Sequence, residues 1–238
     1  MLKIGDKMPS FEAKDQDGRI VRSEDFIGNG RRTIIYFYPK DNTSGCTSEA
    51  CSLRDGYAAL TAAGYNVVGV SKDSEKSHSG FRAKHGLPFT LLSDTSTRML
   101  QDFGAWGEKK MYGKTVFGTI RRTFIFSEDG ILERIIEKVD TKNAAGQIIA
   151  GMDGKAKVNA ERVLRVQDME TAFNRVSADP ASADPKDVAK LKDYMESRQW
   201  QLDYEADEAG EIPAGVARGV LSQDGLYNLL EELQAMPM

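Results

Sequence analysis

The sequence lacks the features that mark membrane proteins and small secreted proteins. None of its apolar runs approaches the ~18 uninterrupted residues that a transmembrane helix needs. No apolar segment of the kind found in a secretory leader follows the charged residues near its start. Only two cysteines are present, too few to staple a small secreted domain. We therefore expect a cytoplasmic protein.

The chain also lacks an excess of positive charge. Residues 1–154 contain 22 Lys and Arg against 20 Asp and Glu, whereas residues 155–238 contain 10 against 16. Nucleic acids and anionic membranes are bound by basic surfaces, so this balance argues against both as partners. Hydrophobic residues form 40% of the chain, enough to bury a core and to exclude a disordered protein.

The first part of the chain alternates between strand-like and helix-like patterns. Arg32–Tyr38 and Asn66–Ser71 are rich in β-branched and aromatic residues and predict buried strands. One helix is predicted between them, over residues 47–63, with Gly64 as its C-cap. The order predicts an α/β fold, a central mixed sheet flanked by helices. Further along we predict helices over 74–85, 94–103 and 141–150, a strand over 89–93, and a hairpin of 120–127 with 131–139.

The pattern changes around residues 151–157, which we interpret as the boundary between a domain of residues 1–154 and an all-α domain of residues 155–238. Helical periodicity predicts helices over 159–177, 186–208 and 222–234. The acidic run from Asp203 to Glu208 is expected to be a solvated helix face. The core of this domain is expected to contain Tyr194, Trp200, Tyr204 and Tyr227.

Cys46 follows a strand and a loop, and it opens a helix. The first-turn N–H groups and the helix dipole then face its sulfur, an environment that lowers a thiol pKa from about 8.5 to about 3.5–7.5. Position alone allows Cys46 equally to be a small core residue. On one ideal helix the Cα atoms of Cys46 and Cys51 lie about 8.6 Å apart, and a disulfide spans at most about 6.8 Å. The pair can bridge only if the helix unwinds. Zinc is disfavoured, because neither His78 nor His85 has ligand spacing to the cysteines.

The segment Phe37–Cys51 (FYPKDNTSGCTSEAC) resembles the peroxiredoxins, specifically their bacterioferritin-comigratory (Q-type) group. It contains the P-x-x-x-T-x-x-C pattern of that superfamily as Pro39, Thr43 and Cys46. Cys51 stands at the offset of the group's resolving cysteine. The likeness runs over about the first 150 residues and includes the later blocks Gly104–Lys109, Tyr112–Lys114 and Ile120–Phe124.

This resemblance implies a thioredoxin-like fold and reduction of hydrogen peroxide or organic hydroperoxides without a bound cofactor or metal. Cys46 would become a sulfenic acid, Cys51 would condense with it to an intramolecular disulfide, and thioredoxin or a similar dithiol would reduce that disulfide. The Thr43 hydroxyl would hydrogen-bond sulfur and peroxide, and Pro39 would shield the sulfur. Ser44 departs from the proline usual in relatives, which loosens the loop but removes no reacting group.

Roles can also be predicted for charged and aromatic residues outside the motif. Arg121 matches the family's R-x-[ST]-F pattern and is expected to hold thiolate and peroxide together, which leaves Arg122 as a solvated or partner-facing charge on the opposite strand face. Glu49 either arranges the arginine or is a helix-start charge. Trp106 and Tyr112 either line the mouth of the pocket or simply pack.

The second domain carries no recognisable catalytic motif. Trp200–Gly210 and Arg218–Asn228 resemble a small bacterial helical domain of unknown function, which implies a helical fold and no activity. We expect a module that binds a protein partner or self-associates. Two functions therefore remain open: a thiol peroxidase with an accessory domain, and a peroxide sensor that passes oxidation of Cys46 to a partner through residues 155–238. Only the peroxidase requires turnover with a dithiol reductant.

Overall fold

The structure, a computed structural model, describes residues 2–111 and 114–235. The chain divides into two compact units between Met152 and Asp153. The first unit contains two β-sheets and several helices, and the elements of the second unit are helical. Within the described ranges, no helix is long and apolar enough to cross a membrane.

A seven-stranded sheet forms the centre of the first unit. Across the sheet the strands run β2-β1-β5-β4-β3-β8-β9. The pairs β3–β4 and β4–β5 are parallel and the other neighbours antiparallel, so the sheet is mixed as predicted. A separate hairpin is formed by β6 and β7. The strands are β1 (Glu12–Asp15), β2 (Ile20–Arg22), β3 (Arg32–Phe37), β4 (Tyr65–Ser71), β5 (Thr90–Ser93), β6 (Trp106–Met111), β7 (Lys114–Thr119), β8 (Arg122–Phe126) and β9 (Leu132–Ile136).

The two strands predicted from apolar runs lie at the middle of this sheet. In β3 and β4 nearly every residue is buried, because helices cover both faces of a central parallel pair. Aromatic rings fill the space beside β3: the Phe103 ring centroid lies 5.1 Å from that of Phe37 and 5.8 Å from that of Phe124. The core therefore fixes the end of β3, from which the Cys46 loop departs.

The helix predicted over residues 47–63 is two helices in the structure. Helix α1 (Ser44–Asp55) begins three residues earlier than predicted and ends at Gly56, and α2 (Tyr57–Ala62) follows. A Cβ at Gly56 would lie only 2.4 Å from the Cβ of Ala145, so the break occurs where another helix crosses closely. The remaining helices of this unit are α3 (Glu75–His85), α4 (Arg98–Asp102) and α5 (Ala144–Ala150), with a 3₁₀ turn at Ser23–Phe26.

The second unit contains four α-helices in its described part. They are α6 (Gly154–Ala178), α7 (Pro185–Met195), α8 (Arg198–Glu208) and α9 (Gln223–Ala235). The prediction of a single helix over 186–208 is wrong, because α7 and α8 divide this segment. The chain leaves helical geometry at Ser197, whose hydroxyl accepts the Trp200 N–H at 3.3 Å and so caps α8.

A buried ion pair ties α8 to α6. Asp203 is fully buried and accepts two hydrogen bonds of 2.7 Å from the guanidinium of Arg165 and one of 2.9 Å from the Tyr194 hydroxyl. The prediction of a solvated acidic face is therefore wrong at Asp203, since helical periodicity turns this position inward. Tyr227, predicted to be in the core, is 50% exposed.

Candidate active site

Cys46 is the third residue of α1 and has only 1% of its surface exposed. The strand β3 ends in the core at Phe37, and the loop that follows turns into α1 after Thr43, which has extended backbone angles. The first intrahelical bond runs from Thr47 N–H to Thr43 O at 2.8 Å. The N–H groups of the first turn are therefore available near the sulfur.

Arg121 contacts the sulfur of Cys46. Strand β8 pairs with β3 with Arg122 opposite Phe37, which brings the residue before β8 to the end of β3 where α1 begins. From there Arg121 Nη2 donates to Cys46 Sγ at 3.2 Å. Burial acts to lower the pKa of Arg121, but the attraction of Glu49 and Cys46 outweighs it and raises that pKa above its usual value. The guanidinium is thus a fixed positive charge at the thiol.

Glu49 lies one turn beyond Cys46 on α1 and is completely buried. Its Oε2 accepts a hydrogen bond from Arg121 Nη1, whereas its Oε1 has no hydrogen-bond partner among the described residues. Burial raises the pKa of Glu49 to about 7, and the nearby charge of Arg121 only partly offsets this effect. Because Glu49 is the sixth residue of α1, it is not a helix-start charge. It contacts the arginine directly.

The other two residues of the loop motif lie nearer the surface. The Thr43 hydroxyl is exposed and donates to the carbonyl of Lys40 at 3.0 Å, rather than to the Cys46 sulfur as the family resemblance implied. Pro39 is half-buried. Ser44 is the first residue of α1, a position that favours proline because its N–H needs no intrahelical partner.

Cys51 is partly exposed and shares α1 with Cys46, and both thiols are free. Since α1 is continuous between them, the helical separation worked out from the sequence applies, and a disulfide requires unwinding. Contacts hold the far end of α1: the Ser52 hydroxyl accepts the Ala145 N–H at 3.2 Å, and Arg54 donates to the His85 carbonyl at 2.8 Å.

The structure shows Arg122 and Trp106 packed inside the first unit. Arg122 was expected to be solvated, but it is buried; it donates to the Gly104 carbonyl at 2.8 Å and pairs with Glu137 at 3.3 Å. The expectation is wrong because the inner strand β8 leaves neither face open. Trp106 packs against the hydrophobic core, with the ammonium of Lys72 6.0 Å from its ring centroid. Tyr112 lies outside the described residues.

A buried polar cluster beside the loop was not found from the sequence. The Asp41 carboxylate accepts hydrogen bonds from the Tyr38 hydroxyl at 2.8 Å and the Ser77 hydroxyl at 2.6 Å, and lies 2.9 Å from Nδ1 of His78. Asp41 and His78 are 37 residues apart, so no local spacing pattern joins them. The parallel pairing of β3 with β4, and α3 after β4, bring the two segments together.

Comparison with known proteins is consistent with this geometry. Residues 4–135 match the model of the AhpC/TSA family, and residues 165–237 match a domain of unknown function, DUF4298. The chain is 44% identical over 142 residues to peroxiredoxin Bcp of Escherichia coli K12, covering 60% of this chain and 90% of that protein. It is 37% identical over 148 residues to peroxiredoxin Bcp of Bacillus subtilis 168, with coverages of 62% and 93%.

A solved structure is similar to the first unit in fold as well as in sequence. The bacterioferritin comigratory protein of Xanthomonas campestris, studied for its alkyl peroxide reduction activity, superposes with a TM-score of 0.56 at 34% identity. The match covers 63% of this chain and 92% of that chain. The predicted thioredoxin-like fold of the first unit is confirmed, as is the helical fold of the second.

Proposed function

The chain belongs to the AhpC/TSA family and is a peroxiredoxin, a thiol-dependent peroxidase, and from this membership we propose that Cys46 attacks the hydroperoxide and Cys51 resolves the product. The observation that carries the proposal is the 3.2 Å contact between Arg121 Nη2 and the Cys46 sulfur. It sets a permanent positive charge and a directed N–H donor at a buried thiol on the first turn of a helix.

In the first step the Cys46 thiolate attacks one oxygen of the hydroperoxide. An S–O bond forms, the O–O bond breaks, and hydroxide or alkoxide leaves and takes up a proton. Negative charge moves from sulfur to the departing oxygen. The Arg121 guanidinium and the N–H groups of the first turn of α1 can donate hydrogen bonds to this charge. The Thr43 hydroxyl can do so as well once it rotates away from the Lys40 carbonyl. The product is a sulfenic acid on Cys46.

In the second step Cys51 attacks that sulfenic acid. An S–S bond forms between the cysteines, and the oxygen leaves as water. Because an intact helix holds the two Cα atoms about 8.6 Å apart, the first turns of α1 must unwind for this step. We propose that thioredoxin or a similar dithiol protein then reduces the disulfide by thiol–disulfide exchange.

Peroxide-dependent NADPH oxidation, coupled through thioredoxin and its reductase, tests these roles on the full-length chain. We expect steady turnover by the unaltered protein and none by Cys46→Ser. Cys51→Ser should consume about one equivalent of peroxide by forming the Cys46 sulfenic acid and then stop. Full turnover by Cys51→Ser would refute the resolving role. Stoichiometric oxidation of Cys46 without turnover in the unaltered protein would favour a peroxide sensor.

For the second unit we propose an accessory role, as a module for a partner protein or for self-association. Its buried carboxylate, Asp203, is bonded to Arg165 and Tyr194 inside the unit. Light scattering on the full chain and on a chain ending at Met152 tests self-association. A larger assembly formed only by the full chain is the expected result. If each chain has the mass of its own monomer, partner binding is left as the accessory role.

A further inference from the structure

The buried cluster at Asp41 is built around the contact of its carboxylate with His78. The side chains of His78 and Asp41 are 0% and 2% exposed. His78 Nδ1 lies 2.9 Å from an oxygen of the Asp41 carboxylate, and its Nε2 lies 3.2 Å from the carbonyl oxygen of Leu92. Burial alone would raise the pKa of Asp41, but hydrogen bonds from His78 and Ser77 outweigh it and lower that pKa. The carboxylate is therefore ionised.

This pair anchors the loop that precedes Cys46. Besides its side-chain contacts to α3, Asp41 donates its backbone N–H to Asp73 Oδ2 at 2.8 Å, and the Ser71 hydroxyl at the end of β4 donates to the same oxygen at 2.9 Å. The next residue, Asn42, has a φ of 58°, so the chain reverses immediately after the anchor. Thr43 and the start of α1 follow at once.

Two separate sets of contacts thus surround the thiol. Arg121 and Glu49 act on the Cys46 side of α1, and they fix the charge beside the sulfur. The Asp41–His78 pair holds the loop from outside the helix and touches neither of these side chains in the hydrogen bonds of the structure. Different side chains therefore set the charge beside the sulfur and hold the loop that precedes it.

On the basis of the function proposed above, we propose that Asp41 and His78 are positioning residues for the peroxide reaction of Cys46. Their contact holds Thr43 and the first-turn N–H groups where the peroxide oxygens must lie. A misplaced donor slows a reaction by about ten- to a hundredfold. Attack of the thiolate on a small electrophile that needs no such donors is not slowed.

The test compares two reactions of Cys46 at neutral pH, in the full-length chain carrying Cys51→Ser. One is the rapid reaction with hydrogen peroxide, and the other is alkylation by iodoacetamide. We expect Asp41→Ala to lower the peroxide rate by about ten- to a hundredfold and to change the alkylation rate by less than about twofold. Ser77→Ala removes one donor to Asp41 from a half-buried site and should give the same split with a smaller loss.

The matched control is Asp15→Ala. Asp15 is also buried in the first unit and accepts two backbone N–H groups, but it is the last residue of β1 and its acceptor oxygen serves the turn to β2. Unchanged rates are expected there. The proposal is overturned if Ser77→Ala slows the peroxide reaction and the alkylation to the same extent. It is also overturned if the peroxide rate is unchanged both in Ser77→Ala and in a folded Asp41→Ala. Failure of the unaltered Cys46 to react with peroxide, with normal alkylation, would instead refute the proposed function.

Discussion

Replacement of Glu49 by glutamine should make the first unit more stable at high pH relative to the unaltered protein. Burial raises the pKa of Glu49 from 4.5 to about 7, since the carboxylate is enclosed and one of its oxygens has no partner among the described residues. A glutamine at this position would keep the volume of the side chain and could not ionise. The comparison therefore isolates the cost of ionising this buried group beside Arg121.

The sign and the size of the effect follow from proton linkage. Between about pH 4.5 and about pH 7 the folded state binds the Glu49 proton and the unfolded state loses it, so the free energy of unfolding falls as the pH rises. Raising this pKa from 4.5 to about 7 corresponds to about 3 kcal/mol. The stability gained by Glu49→Gln should therefore grow by about 3 kcal/mol between about pH 4 and about pH 8.

Urea unfolding measures this difference when one tryptophan reports on one unit. Trp106 lies in the first unit and Trp200 in the second, so a Trp200→Phe background leaves Trp106 as the tryptophan of the first unit. The proteins with Glu49 and with Glu49→Gln are both measured in that background. The contributions of all other titrating groups to the free energy of unfolding then cancel in the difference. A difference that does not vary with pH would refute the reasoning. A difference of opposite sign would mean that the attraction of Arg121 outweighs burial and keeps Glu49 ionised throughout.

Three other substitutions test other parts of the fold and site. Arg121→Gln removes the guanidinium donor and should slow the peroxide reaction by about a hundredfold or more, measured by rapid-mixing fluorescence. Gly56→Ala places a Cβ 2.4 Å from that of Ala145 and should cost about 1–3 kcal/mol in urea unfolding followed by Trp106. Asp203→Ala leaves Arg165 without its buried partner and should cost about 3–5 kcal/mol, followed by Trp200 fluorescence.

The parts of the fold that the sequence predicts are those where one physical effect dominates. In β3 an unbroken run of β-branched and aromatic residues is buried on both faces only in the middle of a sheet, and the structure places it there. The break at Gly56 was missed because its cause is another helix, α5, far along the chain. The strands β1 and β2 were missed as well, since segments of four and three residues are too short to show a period.

The candidate site divides in the same way. Pro39, Thr43 and Cys46 form a local pattern, and a second pattern led to Arg121, which the structure places in contact with the sulfur. Arg121 and Cys46 are 75 residues apart in the chain, and the pairing of β8 with β3 brings them together. Nothing in the sequence near Asp41 indicated its buried partner, because the contact depends on how α3 packs beside the loop.

The two ends of α1 differ in a way that matters for the proposed cycle. At its start, the side chain of Thr43 does not cap the helix, and the first turn contains no acidic residue to interact with the dipole. Beyond Cys51, by contrast, Ser52 and Arg54 tie the helix to neighbouring segments. Unwinding from the end that carries Cys46 therefore breaks no side-chain cap, although it must release the contacts of Cys46 and Glu49 with Arg121. In the thiolate form the contact with Arg121 opposes it, and a protonated sulfenic acid, which has no negative charge, weakens that contact. Oxidation of Cys46 itself thus favours the unwinding that its resolution requires.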